Sequence, residues 1–445
     1  MTVANTFSWL SDIHYDPFYG SSQAFGNNDT CKSNTQVPFY GCDSPWQLIE
    51  NAISALADQS PLFVLVTGDF ARHGMDQLPN SSMYMTEILS KVTLELQSKL
   101  EPETTILPLL GNNDVIPDYY IDIADKKHMK LFSNTFLNLS VISDDEAEQL
   151  SYGGYYGRTM GNVRILCLNT VIYSIAHQPK LPNYNNDPFD QLTWMEIELQ
   201  QHDNIYLIGH IPPTISSYFF EDMWEERYRK IYESLTEKYS SKIRMQLFGH
   251  FHSNEFRMHG KNLTLFLGPS ITPVYNNNPA FQIVHFDASD GALVDIDTFI
   301  YNLSDSFSDN WTKLSSFRQH YGLEDLSREG IKKGILDPML KKNETVLRQF
   351  LFSYKYGTYS RSMQLCLSRG IDACSRQWYC ILTSNSQASY NVCQRVEQRN
   401  MLLSENALLL LICFIALMSS IAIISCLRKR YWRRINSYHS PGVLA

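Results

Sequence analysis

Positive charge is scarce in this chain. Lysine and arginine number 37 against 46 aspartates and glutamates, and five of the 37 (Arg428, Lys429, Arg430, Arg433 and Arg434) are crowded near the C-terminus. Without them residues 1–427 carry a net charge near −14, which excludes a broad basic surface for nucleic acid. Internal repeats and low-complexity tracts are missing too. Charged residues make up only 19% of a chain that is 44% apolar and 13% aromatic, so a disordered or fibrous protein is excluded. The N-terminus, "MTVANTFSW", has neither the basic stretch nor the apolar run that directs a chain into the secretory route. A site-bearing strand begins within ten residues of Met1, so a signal or anchor upstream of this sequence is expected.

What is present begins with size: 445 residues can bury a large core in one big domain or two smaller ones. Ala407 to Leu427, "ALLLLICFIALMSSIAIISCL", is 21 residues without a charge, about the ~20 a helix needs to cross the hydrocarbon core. It reads as a transmembrane span; a buried core helix is the alternative. The basic cluster "RKRYWRR" follows at once, which makes the tail cytosolic and the large N-terminal part lumenal or extracellular. Cysteine usage agrees. Cys31, Cys42, Cys366, Cys374, Cys380 and Cys393 lie in polar, loop-like sequence and can pair in fifteen ways, whereas Cys167 lies in an apolar strand and Cys413 and Cys426 in the span. Spacing suggests Cys31 with Cys42 and a local set near the C-terminus. Asn80, Asn138, Asn262, Asn302, Asn310 and Asn343 all open N-x-Ser/Thr glycosylation triplets. A tail-anchored protein facing the cytosol would leave the cysteines and these triplets unexplained.

Apolar strand-like runs alternate with helical patterns. "SPWQLIENAISALADQ" offers Ser44 as N-cap, Pro45 at the first helical position and Gln47 for a capping box, with Ile49, Ala52, Ile53 and Leu56 on one face. "PLFVLVTGD", "TTILPLLGNND", "VRILCLNT", "NIYLIGH" and "IRMQLFGH" read as buried strands, with helices such as "FDQLTWMEIELQQ" and "EDMWEERYRKIYESLTEKY" between some of them. "LTLFLGPS", "FQIVHFD" and "LVDIDTFIY" follow without intervening helices and read as antiparallel strands. The pattern is α/β. Its expected organisation is a catalytic domain over 5–302, a helical, cysteine-containing segment over 303–398, a span over 407–427 and a basic tail over 428–445.

The polar residues fall in register with these strands. Asp12 and His14 follow the first; Asp69 and His73 follow in "TGDFARHG"; Asn112, Asn113 and Asp114 follow in "LGNND"; His210 ends "LIGH"; His250 and His252 end "LFGHFHSNEF". The C-terminal edge of an open α/β sheet is where ligands bind. Carboxylates, neutral imidazoles and an amide oxygen suit zinc, manganese or iron, and an aspartate can bridge two cations. Two such ions clamp the attacking and leaving oxygens of a phosphoryl group. A lone D-x-H or Gly-His is an ordinary turn feature; D-x-H, G-D, G-N, G-H and G-H-x-H together, each at a strand end, are not. His128, His177, His202, His259 and His285 lack that context and read as surface or packing residues, the aromatic stretches "YYGRT" and "SYFFEDMW" as packing, and "DDEAEQ" as a solvated face.

This ordered set resembles the calcineurin-like metallophosphoesterase superfamily, and more closely the branch holding acid sphingomyelinase, its phosphodiesterase-like relatives and endopolyphosphatase. The resemblance implies a four-layer sandwich of two mixed β-sheets flanked by helices, here followed by the C-terminal transmembrane helix. It implies that Asp12, His14 and His252 with a bridging Asp69 hold one divalent ion, and Asn112, His210 and His250 with the same Asp69 the other: zinc, with manganese, iron or cobalt as alternatives. Sphingomyelinase-type members carry Gly-Asn-His at the third motif, whose histidine is a possible proton donor; Asn113 stands there in this chain. In that respect, and in the Arg-His of "GDFARH", the chain resembles endopolyphosphatases, leaving His73 or water as proton donor.

The expectation is therefore a membrane-anchored lumenal hydrolase, in a vacuole or lysosome or at the cell surface, with His73 and Asn113 as its catalytic residues. It would cleave polyphosphate internally by a metal-activated hydroxide. Phosphodiester cleavage, on nucleotides, small diesters or sphingomyelin, is the alternative. An inactive cell-surface binding protein is the alternative from another class.

Overall fold

The computed structural model describes residues 4–397 apart from 27–28, 34–36, 305–309 and 359–360. The expected span at 407–427, its basic tail, Cys413 and Cys426 lie outside the described residues. Among the described residues no helix is long and apolar enough to cross a membrane.

Among the described residues twelve strands form two six-stranded sheets. In the first, β1 (Ala4–Leu10), β2 (Phe63–Val66) and β3 (Thr105–Pro108) are parallel neighbours. β10 (Ala280–Asp287), β11 (Leu293–Tyr301) and β12 (Trp311–Ser316) extend that sheet from β1 as an antiparallel series. The second sheet runs in the order β4 (Tyr156–Met160), β5 (Val163–Cys167), β6 (Ile205–Gly209), β7 (Ile243–Phe248), β9 (Leu263–Leu267), β8 (Glu255–His259). The sheets face each other through buried side chains: Phe7 of β1 stacks on Phe63 at 4.5 Å and meets Tyr206 of β6 at 6.1 Å. Helices flank them, so the expected α/β sandwich is present. The edge strand β12 lies past residue 302.

The helix Trp46–Ala57 buries Leu48, Ile49, Ala52, Ile53 and Leu56, each leucine and isoleucine worth about 1.5–3 kcal/mol when fully buried. Two expectations are corrected. Ser44 does not cap this helix: Pro45 is the cap residue and no side chain bonds the first turn. The Ser44 backbone is used instead to hold the loop after β1, donating to His14 O at 3.0 Å and accepting from Asp16 N at 3.0 Å. Nor is "LTLFLGPS" wholly antiparallel, since β9 pairs antiparallel with β8 but parallel with β7. An apolar run specifies burial and not direction; the short hairpin β8–β9 sets it.

Disulfides join Cys31 to Cys42 and Cys366 to Cys374, and Cys380 and Cys393 are disulfide-bonded as well. Cys167 is buried and free. Asn80, Asn138, Asn262, Asn310 and Asn343 are exposed and Asn302 is half-buried. Asn343 also caps the helix Glu344–Tyr354 by accepting from Val346 N.

Candidate active site

Five loops at the C-terminal ends of β1, β2, β3, β6 and β7 converge, and backbone bonds lock the first two together. Asp12 N donates to Gly68 O at 3.0 Å, His14 N to Asp69 O at 3.0 Å and Tyr15 N to Phe70 O at 2.9 Å. Asp114 fixes the second loop to the third, its carboxylate accepting from Asp69 N and Phe70 N at 2.8 Å and from Gly111 N at 2.9 Å. Glycine precedes the polar residue for steric reasons: a Cβ at Gly111 would overlap Asp69 Oδ1, and one at Gly249 would overlap Ser11 Oγ and Asp12 Oδ2. Five of the seven expected ligands (Asp12, His14, Asp69, His250 and His252) have φ between +44° and +74°, a left-handed conformation that costs a non-glycine residue about 1 kcal/mol or more and persists only where surroundings enforce it.

The seven side chains form two groups that meet at Asp69. His252 Nε2 is 3.1 Å from Asp12 Oδ1, and His14 Nε2 is 3.9 Å from that oxygen and 3.4 Å from Asp69 Oδ2. On the other side His210 Nε2 lies 3.2 Å from Asp69 Oδ2 and 3.0 Å from Asn112 Oδ1. Asp69, His210 and His250 have ligand atoms close enough to share one cation, as do Asp12, His14 and His252. All but His250 are buried.

The donor set fits divalent ions. His14 Nδ1 bonds Ala71 O at 3.0 Å and His210 Nδ1 bonds Thr67 O at 2.7 Å. A carbonyl only accepts, so Nδ1 carries a proton in both, and each ring in its neutral form turns an Nε2 lone pair inward. His14 Nε2 is buried with no hydrogen-bond partner. At His210 that lone pair faces the oxygens of Asp69 and Asn112, an arrangement a cation between them would relieve. With no ion bound the pocket draws positive charge: burial disfavours a cationic His210, yet Asp69 outweighs it and pushes the imidazole up to about 9, so a proton on Nε2 would occupy the place that an ion takes when it turns the ring neutral. Burial would raise the Asp69 carboxyl, but His210 and His14 together with the Asn113 N–H hold it well below the usual carboxylate range.

Of the two residues expected to be catalytic, His73 lies between the expected ligand His14 and Tyr275 of the cavity wall. Asp43, which sequence reasoning missed, accepts from His73 N and sits 2.9 Å from its Nδ1. His73 stacks on His14 at 4.1 Å and on Phe25 at 5.1 Å, with Nε2 3.5 Å from Tyr275 OH. Burial works against a charged His73, and Asp43 overcomes it, pushing the ring up to about 9. Asn113 does not face the cleft. It is 1% exposed, and both its backbone N–H and its Nδ2 donate to the Asp69 carboxylate, at 2.8 and 2.7 Å. It therefore orients Asp69 and has no proton to give a leaving group.

A cavity of about 360 Å³ adjoins the site, walled by His250 and Phe251 on one side and by Tyr119, Tyr218, Phe219, Met223 and Tyr275 on others. This corrects the reading of "SYFFEDMW" as packing: Tyr218, Phe219, Glu221, Asp222 and Met223 all line it. Its charged lining is acidic, Glu221 and Asp222. Of the other histidines, His177 and His259 are buried against Ile121 O and Thr236 Oγ1. In "DDEAEQ", Glu146 is not solvated; it caps its own helix with Ser143 and pairs with Arg158.

Carboxylates and imidazoles gathered in this way at parallel strand ends define a dimetal phosphoester hydrolase. The chain belongs to the calcineurin-like phosphoesterase family, whose pattern it matches over residues 6–254. It is 30% identical over 307 residues to sphingomyelinase phosphodiesterase D of Dictyostelium discoideum, covering 64% of this chain and 67% of that one. To the human acid sphingomyelinase-like phosphodiesterase 3b it is 28% identical over 433 residues, covering 87% of this chain and 89% of the relative. To the cyclic GMP-AMP phosphodiesterase SMPDL3A of Bos taurus it is 26% identical over 422 residues, covering 87% and 90%. The chain is accordingly a metal-dependent phosphoric ester hydrolase, and the inactive binding protein is set aside. The polyphosphate expectation is matched less well than its phosphodiester alternative: the relatives named here are phosphodiesterases by name, and Asn113, the residue that pointed to endopolyphosphatase, is committed to Asp69.

Proposed function

We propose that this protein is a phosphodiesterase for small organic diesters in which one ester group is flat and apolar, of the nucleotide type, working in a lumenal or extracellular compartment. The observation that carries the substrate class is the cavity. Aromatic faces of Tyr119, Tyr218, Phe219 and Tyr275 beside the site suit a ring, and its acidic lining, Glu221 and Asp222, repels a long polyanion. The disulfides suit an oxidising compartment, and residues 407–427 would tether to its membrane a catalytic domain whose first sheet runs on through β12 to residue 316.

In this reading Asp12, His14 and His252 hold one divalent ion, Asn112, His210 and His250 the other, and Asp69 both. Such ions supply Lewis-acid polarisation of the phosphoryl oxygens and acidify a water at neutral pH. The chain's own groups do the rest. Asn113 fixes the Asp69 carboxylate. Asp43 holds His73 protonated, with Nε2 directed at the cleft, where it can bond a phosphoryl oxygen or pass its proton to the leaving oxygen. A choline-type headgroup diester is the second reading, favoured by Glu221 and Asp222 lying among aromatic faces that attract a quaternary ammonium.

Purified full-length protein assayed side by side on a nucleotide p-nitrophenyl diester, sphingomyelin in detergent micelles and long-chain polyphosphate tests this. The nucleotide diester should turn over fastest and polyphosphate should keep its length. Shortened polyphosphate with intact diesters would contradict the proposal, and preferential sphingomyelin cleavage would establish the second reading.

A further inference from the structure

Lys355 lies 103 residues beyond His252 in sequence, yet its Nζ donates to the His252 carbonyl at 2.9 Å. The side chain is 1% exposed. An ammonium is expensive to bury unless its protons are taken up, and the groups that take them here are that carbonyl and the Tyr218 hydroxyl. The same hydroxyl donates to Phe251 O at 2.9 Å, and the Tyr218 ring lies 4.9 Å from Nζ. One nitrogen thus fastens two consecutive carbonyls of the His250–His252 turn to a wall of the cavity. Flanking bonds run the same way: Asn254 N donates to Tyr354 O and Asn254 Nδ2 to Ser353 Oγ, both at 3.0 Å.

The turn needs holding. His250 and His252 have φ of +74° and +49°, and non-glycine residues keep such a conformation only when outside contacts impose it. His250 N holds one side of the turn by donating to the Asp12 carboxylate at 3.0 Å, and the Lys355 and Tyr218 bonds hold the other, keeping the His252 Nε2 3.1 Å from Asp12 Oδ1.

We propose that Lys355 is a positioning residue: by joining the His252 carbonyl to the Tyr218 hydroxyl it aims the His252 imidazole at the ion shared with Asp12 and His14, and couples that ion to the substrate cavity. The inference rests on Asp12, His14 and His252 being ligands. Partners that orient a ligand typically change metal affinity about 10–100-fold.

The test is a competition titration of the full chain with zinc against a chromophoric chelator, with kcat and KM on the nucleotide diester alongside. Lys355→Met keeps the stem and removes the donors. It should weaken one of two zinc affinities about 10–100-fold while leaving the other near wild type, and raise KM. Tyr218→Phe should weaken the same affinity less. Should Lys355→Met not fold, Tyr218→Phe decides by the same selective shift. Two unchanged affinities, or equal weakening of both with a lowered Tm, would overturn the positioning role. A wild-type chain that binds no zinc would instead overturn the ligand assignment beneath it.

Discussion

Asp69→Asn should abolish hydrolysis, by at least about a thousandfold, in a protein that still folds, forms its disulfides and is glycosylated. The substitution keeps the shape of the side chain and removes the charge on which both groups of imidazoles converge, His14 at 3.4 Å and His210 at 3.2 Å. The backbone around it is held independently, by Asp114 through Asp69 N and Phe70 N, so the loop keeps its course when the charge is gone. Asparagine can still accept from the Asn113 N–H. Circular dichroism and electrophoretic mobility check the fold and the glycans, and diester turnover checks the chemistry. Activity within tenfold of wild type would remove Asp69 from the bridging position.

His73→Gln should have the next largest effect, and one that depends on the leaving group. Asp43 occupies Nδ1 and keeps the ring charged, so the proton directed at the cleft is the one on Nε2. An alkoxide leaving group needs that proton and a nitrophenolate does not. Turnover of a dinucleotide should fall about 10²–10⁴-fold, the usual scale of general acid catalysis, and turnover of the p-nitrophenyl ester by much less. Equal losses on both substrates would make His73 a phosphoryl-binding group and no proton donor.

These two residues also show what was legible beforehand. Asp69, like the other six expected ligands, stands at the end of an apolar strand, and strand ends are the most readable feature of an α/β sequence because the shift from Val-Leu-Val to Gly-Asp is abrupt. What supports the ligands was not legible. Asp43 lies 30 residues before His73 and Lys355 lies 103 after His252, and neither sits in a pattern that sets it apart. The left-handed backbone at Asp12, His14, Asp69, His250 and His252 leaves no trace in composition. Tyr218 and Phe219 read as packing because an aromatic residue in a loop carries the same signal whether it fills a core or walls a cavity. Asn113 misled in the opposite way. Its identity suggested a substrate, whereas its contacts, two bonds to Asp69, concern the orientation of a carboxylate.

Two ions acting with these residues on a diester would make hydrolysis depend on both, and reconstitution tests that most directly. The full chain would be stripped with chelator and given back zinc or manganese stepwise, with bound metal and hydrolysis of the nucleotide diester followed on the same sample. Hydrolysis should vanish on stripping and return to a plateau at two ions per chain. Hydrolysis that survives stripping, or that is complete with one ion bound, would contradict that dependence on two ions.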